Sequence, residues 1–252
     1  MSTTASTLPS LSKPSPEDFL HASADYSRPV KITGQGEAWP AFREWTLASL
    51  ASRYGDTPVK VFRLTPDLAA RGDPDSGFDR LYTEMTVSEF ASHMRHPAQS
   101  GRAFYWNQNL GEEPFRKLTE ELVTPFPIAP GILPATYLWI GPQGCNSPLH
   151  YDLPDNVFCQ LKGQKSIRLF SPEDSRYLSP HERDSKIFFV SRIDPLAPDL
   201  ARFPEYRHAT PLEVLMQPGE MLFIPALWWH HVTSVTDSIS VNFWFRRGAT
   251  GG

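Results

Sequence analysis

The stretch NSPLHYDLPDN, residues 146–156, carries the one His-x-Asp pair of the chain, His150 and Asp152. Side chains two apart on an extended strand share a face, so this imidazole and carboxylate can take adjacent positions on one metal ion. A third donor must come from elsewhere. The run GEMLFIPALWWHHV (219–232) ends in His230 and His231. Two histidines and one carboxylate with the other positions open form the facial donor set of non-haem Fe(II) sites. Strand parity does not choose between His230 and His231, because Pro225 breaks the phase. A chain with eight histidines can also hold a His-x-Asp pair by chance. The WWHH context argues otherwise, since an imidazole set among tryptophans and a β-branched run needs a partner.

A further residue with chemical potential is Lys165, in LKGQKSIRLF (161–170). Lys162-Gly163-Gln164 reads as a hairpin turn, and in the strand after it Lys165 shares a face with Ile167 and Leu169. A lysine on an apolar face either snorkels to solvent or meets an anion, because an unpaired buried ammonium costs several kcal/mol. Beside a metal, a dicarboxylic cosubstrate would suit it, chelating the ion at one end and pairing with the lysine at the other.

These residues need elements to position them. ATYLWIG, NVFCQLKG, KSIRLFS, SKIFFVS, EMLFIP, HHVTSV and SISVNFWF are short, rich in β-branched and aromatic residues, and separated by Gly, Pro, Asp or Asn. Such close spacing predicts an all-β sandwich or barrel over the C-terminal half. The N-terminal half reads as mixed α and β. Ser15-Pro16-Glu17-Asp18 is a helix start, RPVKITG (28–34) and PVKVFRL are strands, AFREWTLASLASRYG (41–55) is a helix, and EPFRKLTEELV (113–123) is another. TVSEFASHMRHP (86–97) has Thr86 and Glu89 at capping-box spacing and Pro97 beyond its end. The expected organisation is a flexible tail over 1–14, then a single domain over 15–252. That domain has an α/β elaboration to about 125 and a β core over about 126–246.

Composition removes several classes of function. A net charge of -4 with scattered Lys and Arg leaves no footprint for nucleic acid or an anionic membrane surface. No stretch approaches the ~18 apolar residues of a membrane span. Two cysteines, Cys145 and Cys159, form neither a disulfide framework nor a zinc spacing, so a reduced, cytoplasmic setting is expected. Twenty-five prolines argue against a helical bundle.

Taken in order, SPLHYDLPDNVFCQLKGQKSIRLFSP, GEMLFIPALWWHHV and VNFWF resemble the Jumonji C, cupin-like branch of the 2-oxoglutarate- and Fe(II)-dependent oxygenases. The nearest type is the asparaginyl hydroxylase of hypoxia-inducible factor. The resemblance covers roughly residues 100–245 and implies a double-stranded β-helix, or jelly roll. It implies His150, Asp152 and His230 as the iron ligands and selects His230 over His231. It also implies Lys165 for the distal carboxylate of 2-oxoglutarate, with Ser147 and Tyr105 reaching the same group, and Asn156 and Asn242 as amides around the cosubstrate. Trp139, Trp228 and Trp244 are candidates to wall the pocket. The cofactors expected are Fe(II), 2-oxoglutarate and O2, and the products succinate, CO2 and a hydroxylated C–H bond. A protein or peptide side chain is the expected substrate, with small-molecule hydroxylation and N-methyl demethylation as alternatives on the same scaffold. A cupin metalloenzyme that does not use 2-oxoglutarate and a non-catalytic binding module are the rival classes. The asparaginyl hydroxylase continues into dimer-forming helices where this chain ends in RRGATGG, so its dimer is not assumed and the oligomeric state stays open.

Overall fold

Alternation decides which way each strand of the C-terminal half faces, and two facing sheets result. The structure is a computed structural model that describes residues 8–63, 81–95 and 104–247. In chain order the strands are β1 (Ser10–Ser12), β2 (Val30–Thr33), β3 (Pro58–Arg63), β4 (Tyr82–Thr86), β5 (Phe104–Asn109), β6 (Ala135–Gly141) and β7 (His150–Tyr151). They continue with β8 (Asp155–Lys162), β9 (Lys165–Phe170), β10 (Leu212–Met216), β11 (Met221–Ile224), β12 (Trp229–Ser234) and β13 (Ser238–Phe245). A nine-stranded sheet runs β1-β2-β11-β8-β13-β6-β5-β3-β4, and a four-stranded sheet runs β10-β9-β12-β7. This mostly antiparallel two-sheet arrangement is a jelly-roll, double-stranded β-helix of the cupin kind.

The central strands of the large sheet are covered on both faces. Val157, Cys159 and Leu161 of β8 join Ile239, Val241, Phe243 and Phe245 of β13 in one apolar core with Phe19, Trp39 and Trp45. Phe158 faces the other way, into a second core with Ile167, Leu169 and Leu222 between the sheets. Double coverage is why β8 reads as an almost continuous apolar run rather than a simple alternation. On β13 the polar positions Ser238, Ser240 and Asn242 alternate with the core residues, yet all three are buried.

The helices that cover the large sheet are α1 (Pro16–Ala22), α2 (Pro40–Glu44), α3 (Leu47–Tyr54) and α4 (Val87–Arg95). Ser15 and Asp18 form a capping box on α1, and Thr86 and Glu89 exchange the same bonds at α4. The single helix expected over 41–55 is two. Thr46 turns extended, and its hydroxyl accepts from Ser49 N while Ser49 Oγ accepts from Thr46 N. That local capping competes successfully with helix continuation. It lets Trp45 bury fully and donate to Glu121 Oε2 at 2.7 Å. The helix expected over 113–123 is a short 3-10 segment, Phe115–Glu121.

Three other expectations are corrected. Ser10–Ser12, read as part of a flexible tail, pair in parallel with β2; residues 1–7 of that tail, and Pro97, lie outside the described residues. SKIFFVS is not a strand. It lies along β7 through the single isolated bridge His150–Val190, with Tyr151 N donating to Phe189 O and Ser191 N to Leu149 O. Lys162-Gly163-Gln164 does not close a hairpin either: β8 and β9 belong to different sheets, and the turn crosses between them. Gly163 makes the crossing at φ +67, with Asp237 O only 2.0 Å from where a Cβ would stand.

Candidate active site

The ladder between β7 and β12 sets the site. His150 pairs directly with His230 across it, so their rings lie 4.2 Å apart between centroids. Asp152 follows β7 by one residue, and its Oδ2 lies 3.6 Å from His230 Nε2. One ligand atom from each of the three falls within 4.8 Å of the others. His230 and Val232 line the cavity while His231, between them, does not. Strand alternation on β12 makes that choice once the strand's start at Trp229 is known.

The imidazoles are oriented by the backbone. His150 Nδ1 sits 2.8 Å from Pro148 O, and His230 Nδ1 sits 3.0 Å from Trp228 O. A carbonyl oxygen can only accept, so each Nδ1 carries a proton and Nε2 is the ring atom left to face a metal. Burial, and then the neighbouring His150, hold His230 down to about 4, with Asp152 and the Trp228 carbonyl pulling the other way. Asp152 Oδ2 accepts from Trp244 Nε1 at 2.8 Å and from Asn156 Nδ2 at 3.4 Å, which fixes the carboxylate plane. Two imidazoles oriented through Nδ1 and a fixed carboxylate suit a divalent cation, and Fe(II) with open positions fits this donor set.

Behind the cavity wall, Lys165 is 1% exposed. Its ammonium donates to Tyr105 Oη at 3.0 Å and to Ser240 Oγ at 2.7 Å. No carboxylate among the described residues pairs with it, and burial lowers it to about 8. The rings of Tyr105 and Phe158 lie 5.3 and 5.4 Å from Nζ. Such a group is short of an anion. Gly141 makes the arrangement possible, since a Cβ there would stand 2.6 Å from the Tyr105 ring and 2.9 Å from Cys145 Sγ.

The metal triad and the wall in front of Lys165 belong to one cavity of about 300 Å3. His150, Asp152, His230, Ser147, Tyr105, Asn156 and Asn242 all line it. Asn242 Nδ2 donates to Asn156 Oδ1 at 2.9 Å, and Ser147 Oγ accepts from Val232 N at 3.1 Å. Trp139 and Trp244 also line it, but Trp228 does not: its indole donates to Ser27 O and it packs in the core between the sheets. Ser240, Phe62, Tyr82, Asn107 and Phe189 were not expected. For Ser240 the signal was its phase with Asn242 on β13; the others come from segments with no motif.

Comparison with known proteins agrees with this geometry. The family model described as a cupin-like domain matches residues 16–251. The human bifunctional peptidase and (3S)-lysyl hydroxylase JMJD7 is 32% identical, covering 94% of this chain and 84% of its own length. Lysine-specific demethylase 8 of Xenopus tropicalis is 30% identical over 94% of this chain and 52% of its own, so the chain spans about half of that relative. The tRNA wybutosine-synthesizing protein 5 of Danio rerio is 30% identical over 91% and 72%. With the two-sheet fold and the His-Asp-His cluster already in place, the chain belongs to the cupin-like domain family, in its Jumonji C branch.

Proposed function

We propose that the chain is an Fe(II)- and 2-oxoglutarate-dependent hydroxylase acting on a C–H bond of a protein or peptide side chain. One observation carries this reading: a single cavity has a three-donor metal cluster on one wall and, behind another, a buried ammonium without a carboxylate partner among the described residues. His150, Asp152 and His230 would hold Fe(II). Lys165, with Tyr105 and Ser147, would receive the distal carboxylate of 2-oxoglutarate, and Asn156 and Asn242 would border its other end. Fe(II), 2-oxoglutarate and O2 together supply oxidative decarboxylation to succinate and CO2 and the oxidising power for hydroxylation. The protein's part is orientation and exclusion of water. The Pro148 and Trp228 carbonyls accept from the two Nδ1 atoms and so turn both Nε2 atoms toward the site, Trp244 holds Asp152 in place, and Trp139 and Trp244 present apolar surface to the reacting centre.

The names of the relatives favour a protein substrate, two of them specifying lysine. The likeness to the asparaginyl hydroxylase type rests on the three sequence motifs. Two buried free thiols, Cys145 and Cys159, fit a reducing, cytoplasmic setting. No helix of the described residues is long and apolar enough to cross a membrane.

The test is an anaerobic titration of apoprotein with Fe(II) and then 2-oxoglutarate, followed by the visible charge-transfer band of the chelate. A band that is absent in Asp152→Ala establishes the pair. Bound iron with no band in the wild type would point instead to a cupin enzyme that does not use 2-oxoglutarate.

A further inference from the structure

The metal and lysine ends leave the outer wall of the cavity unexplained. Tyr105 and Asn107 share a face of β5, and beyond β5 the large sheet continues into β3 and β4, which bring Phe62 and Tyr82 to the same cavity. Asn107 Nδ2 donates to the Tyr82 hydroxyl at 3.3 Å. The pair therefore keeps two complementary groups for a ligand: Asn107 Oδ1 can accept and the Tyr82 O–H can donate. Among the described residues nothing else bonds either group.

The surroundings are apolar. The Phe62 ring packs edge-on against Tyr82 at 5.3 Å between centroids. Trp139, the register partner of Asn107 on β6, has an indole N–H that is buried without an acceptor among the described residues. Polar groups held in such a setting are costly until they are bonded. Apart from Asp152, the described lining holds no acid, and it holds no lysine or arginine. The wall thus suits a neutral group with a donor and an acceptor on the same side.

We propose that Tyr82 and Asn107 form a subsite for an amide of the substrate, its N–H donating to Asn107 Oδ1 and its C=O accepting from the Tyr82 hydroxyl. This rests on the reading of the cavity as an oxygenase site and specifies the chemistry that site selects. Two sources present this edge. One is a residue in extended main chain, whose own N–H and C=O point the same way. The other is the primary carboxamide of Asn or Gln.

The experiment uses the protein loaded anaerobically with Fe(II) and 2-oxoglutarate, with the visible band as control for the loaded site. Three probes are titrated: N-acetyl-L-leucine N-methylamide, its Nα-methylated analogue lacking the N–H, and propionamide. The expected result is binding of the first at least about 5-fold tighter than the second, since a site built to bond an N–H rejects the analogue without it. Asn107→Leu abolishes that preference and Tyr82→Phe weakens the first probe, while the band in the absence of probe is unchanged in both. Propionamide bound in wild type and lost in Asn107→Leu assigns a carboxamide; propionamide left unbound assigns the main chain. Equal affinity for the first two probes, a preference that survives Asn107→Leu, or no binding of any probe at tens of millimolar overturns the proposal. An absent band overturns the cofactor reading instead, and tryptophan fluorescence of the metal-free protein with the same probes and variants then decides the subsite by the same criteria.

Discussion

Replacing Lys165 with Met should stabilise the free protein and cripple cosubstrate binding, two effects of opposite sign from one substitution. Lys165 is fully enclosed and held at about 8 against an ordinary 10.5. At about 1.4 kcal/mol per tenfold, keeping its charge inside costs the fold roughly 3 kcal/mol, the cause being burial. Met fills similar volume without the charge, so the gain at pH 7 should be about 2–3 kcal/mol, a rise in Tm of roughly 4–12 °C for a chain of this size. The pH dependence has a definite sign. Below pH 8 the lysine is charged in both folded and unfolded chains and the full cost applies. Between 8 and 10.5 the unfolded chain binds more protons, so wild-type stability rises relative to Lys165→Met and the two converge by about 10.5. Meanwhile the variant leaves the distal carboxylate of 2-oxoglutarate unpaired, which costs about 2–5 kcal/mol, or roughly 30-fold to several thousand-fold in affinity. Urea denaturation of both apoproteins from pH 7 to 10.5, with calorimetric titration of 2-oxoglutarate at pH 7, measures both. A variant less stable than wild type refutes the burial reasoning. One that is stabilised but binds 2-oxoglutarate within threefold of wild type refutes the anion role.

Other substitutions separate the parts of the site. His230→Ala should abolish stoichiometric Fe(II) binding, whereas His231→Ala should keep the metal and lose only stability; metal content after desalting distinguishes them. Trp244→Phe removes the indole donor to Asp152 Oδ2 and should weaken Fe(II) about 10- to 100-fold, the usual effect of losing a group that orients a ligand, with competition by a chromogenic chelator as the assay. Gly141→Ala places a Cβ 2.6 Å from the Tyr105 ring. It should cost about 1–3 kcal/mol in a thermal melt and raise the 2-oxoglutarate requirement, because the ring it displaces carries a hydroxyl bonded to Lys165.

What could be read from the sequence was governed by range. Capping at Ser15 and Thr86 is decided within three residues: the hydroxyl cap expected at Ser15 forms, and so does the box that the spacing of Thr86 and Glu89 predicts. The break at Trp45–Thr46 is also local, but it passes unnoticed against an apolar pattern that runs straight through, and its stabilisation comes from Glu121, 76 residues away. SKIFFVS has the composition of a strand, and Ile187 and Val190 are as buried as a strand would make them. What it lacks is a partner with a matching register, and composition does not encode that. The same limit explains the turn after Lys162: two strands separated by two residues look like a hairpin, and only the twist and the crossing of a closed double sheet send them to opposite layers.

For the site, the informative signal was polar residues where burial was expected. On β13 the order Ser-Ile-Ser-Val-Asn-Phe-Trp-Phe alternates as cleanly as any half-solvated strand, yet its polar face is turned inward. Ser240 there meets Lys165, Asn242 meets Asn156, and Trp244 meets Asp152. Lys165 on β9 follows the same pattern, a charge in phase with Ile167 and Leu169. An alternating strand whose neighbours in sequence are all core strands has no solvent left for its polar face, so that face must line a cavity, and the residues on it are obliged to bond one another or a ligand. Tyr82 and Asn107 escaped notice because β4 and β5 sit where the large sheet runs out beyond the jelly roll, and no flanking motif marks which of their polar side chains turn toward the cavity.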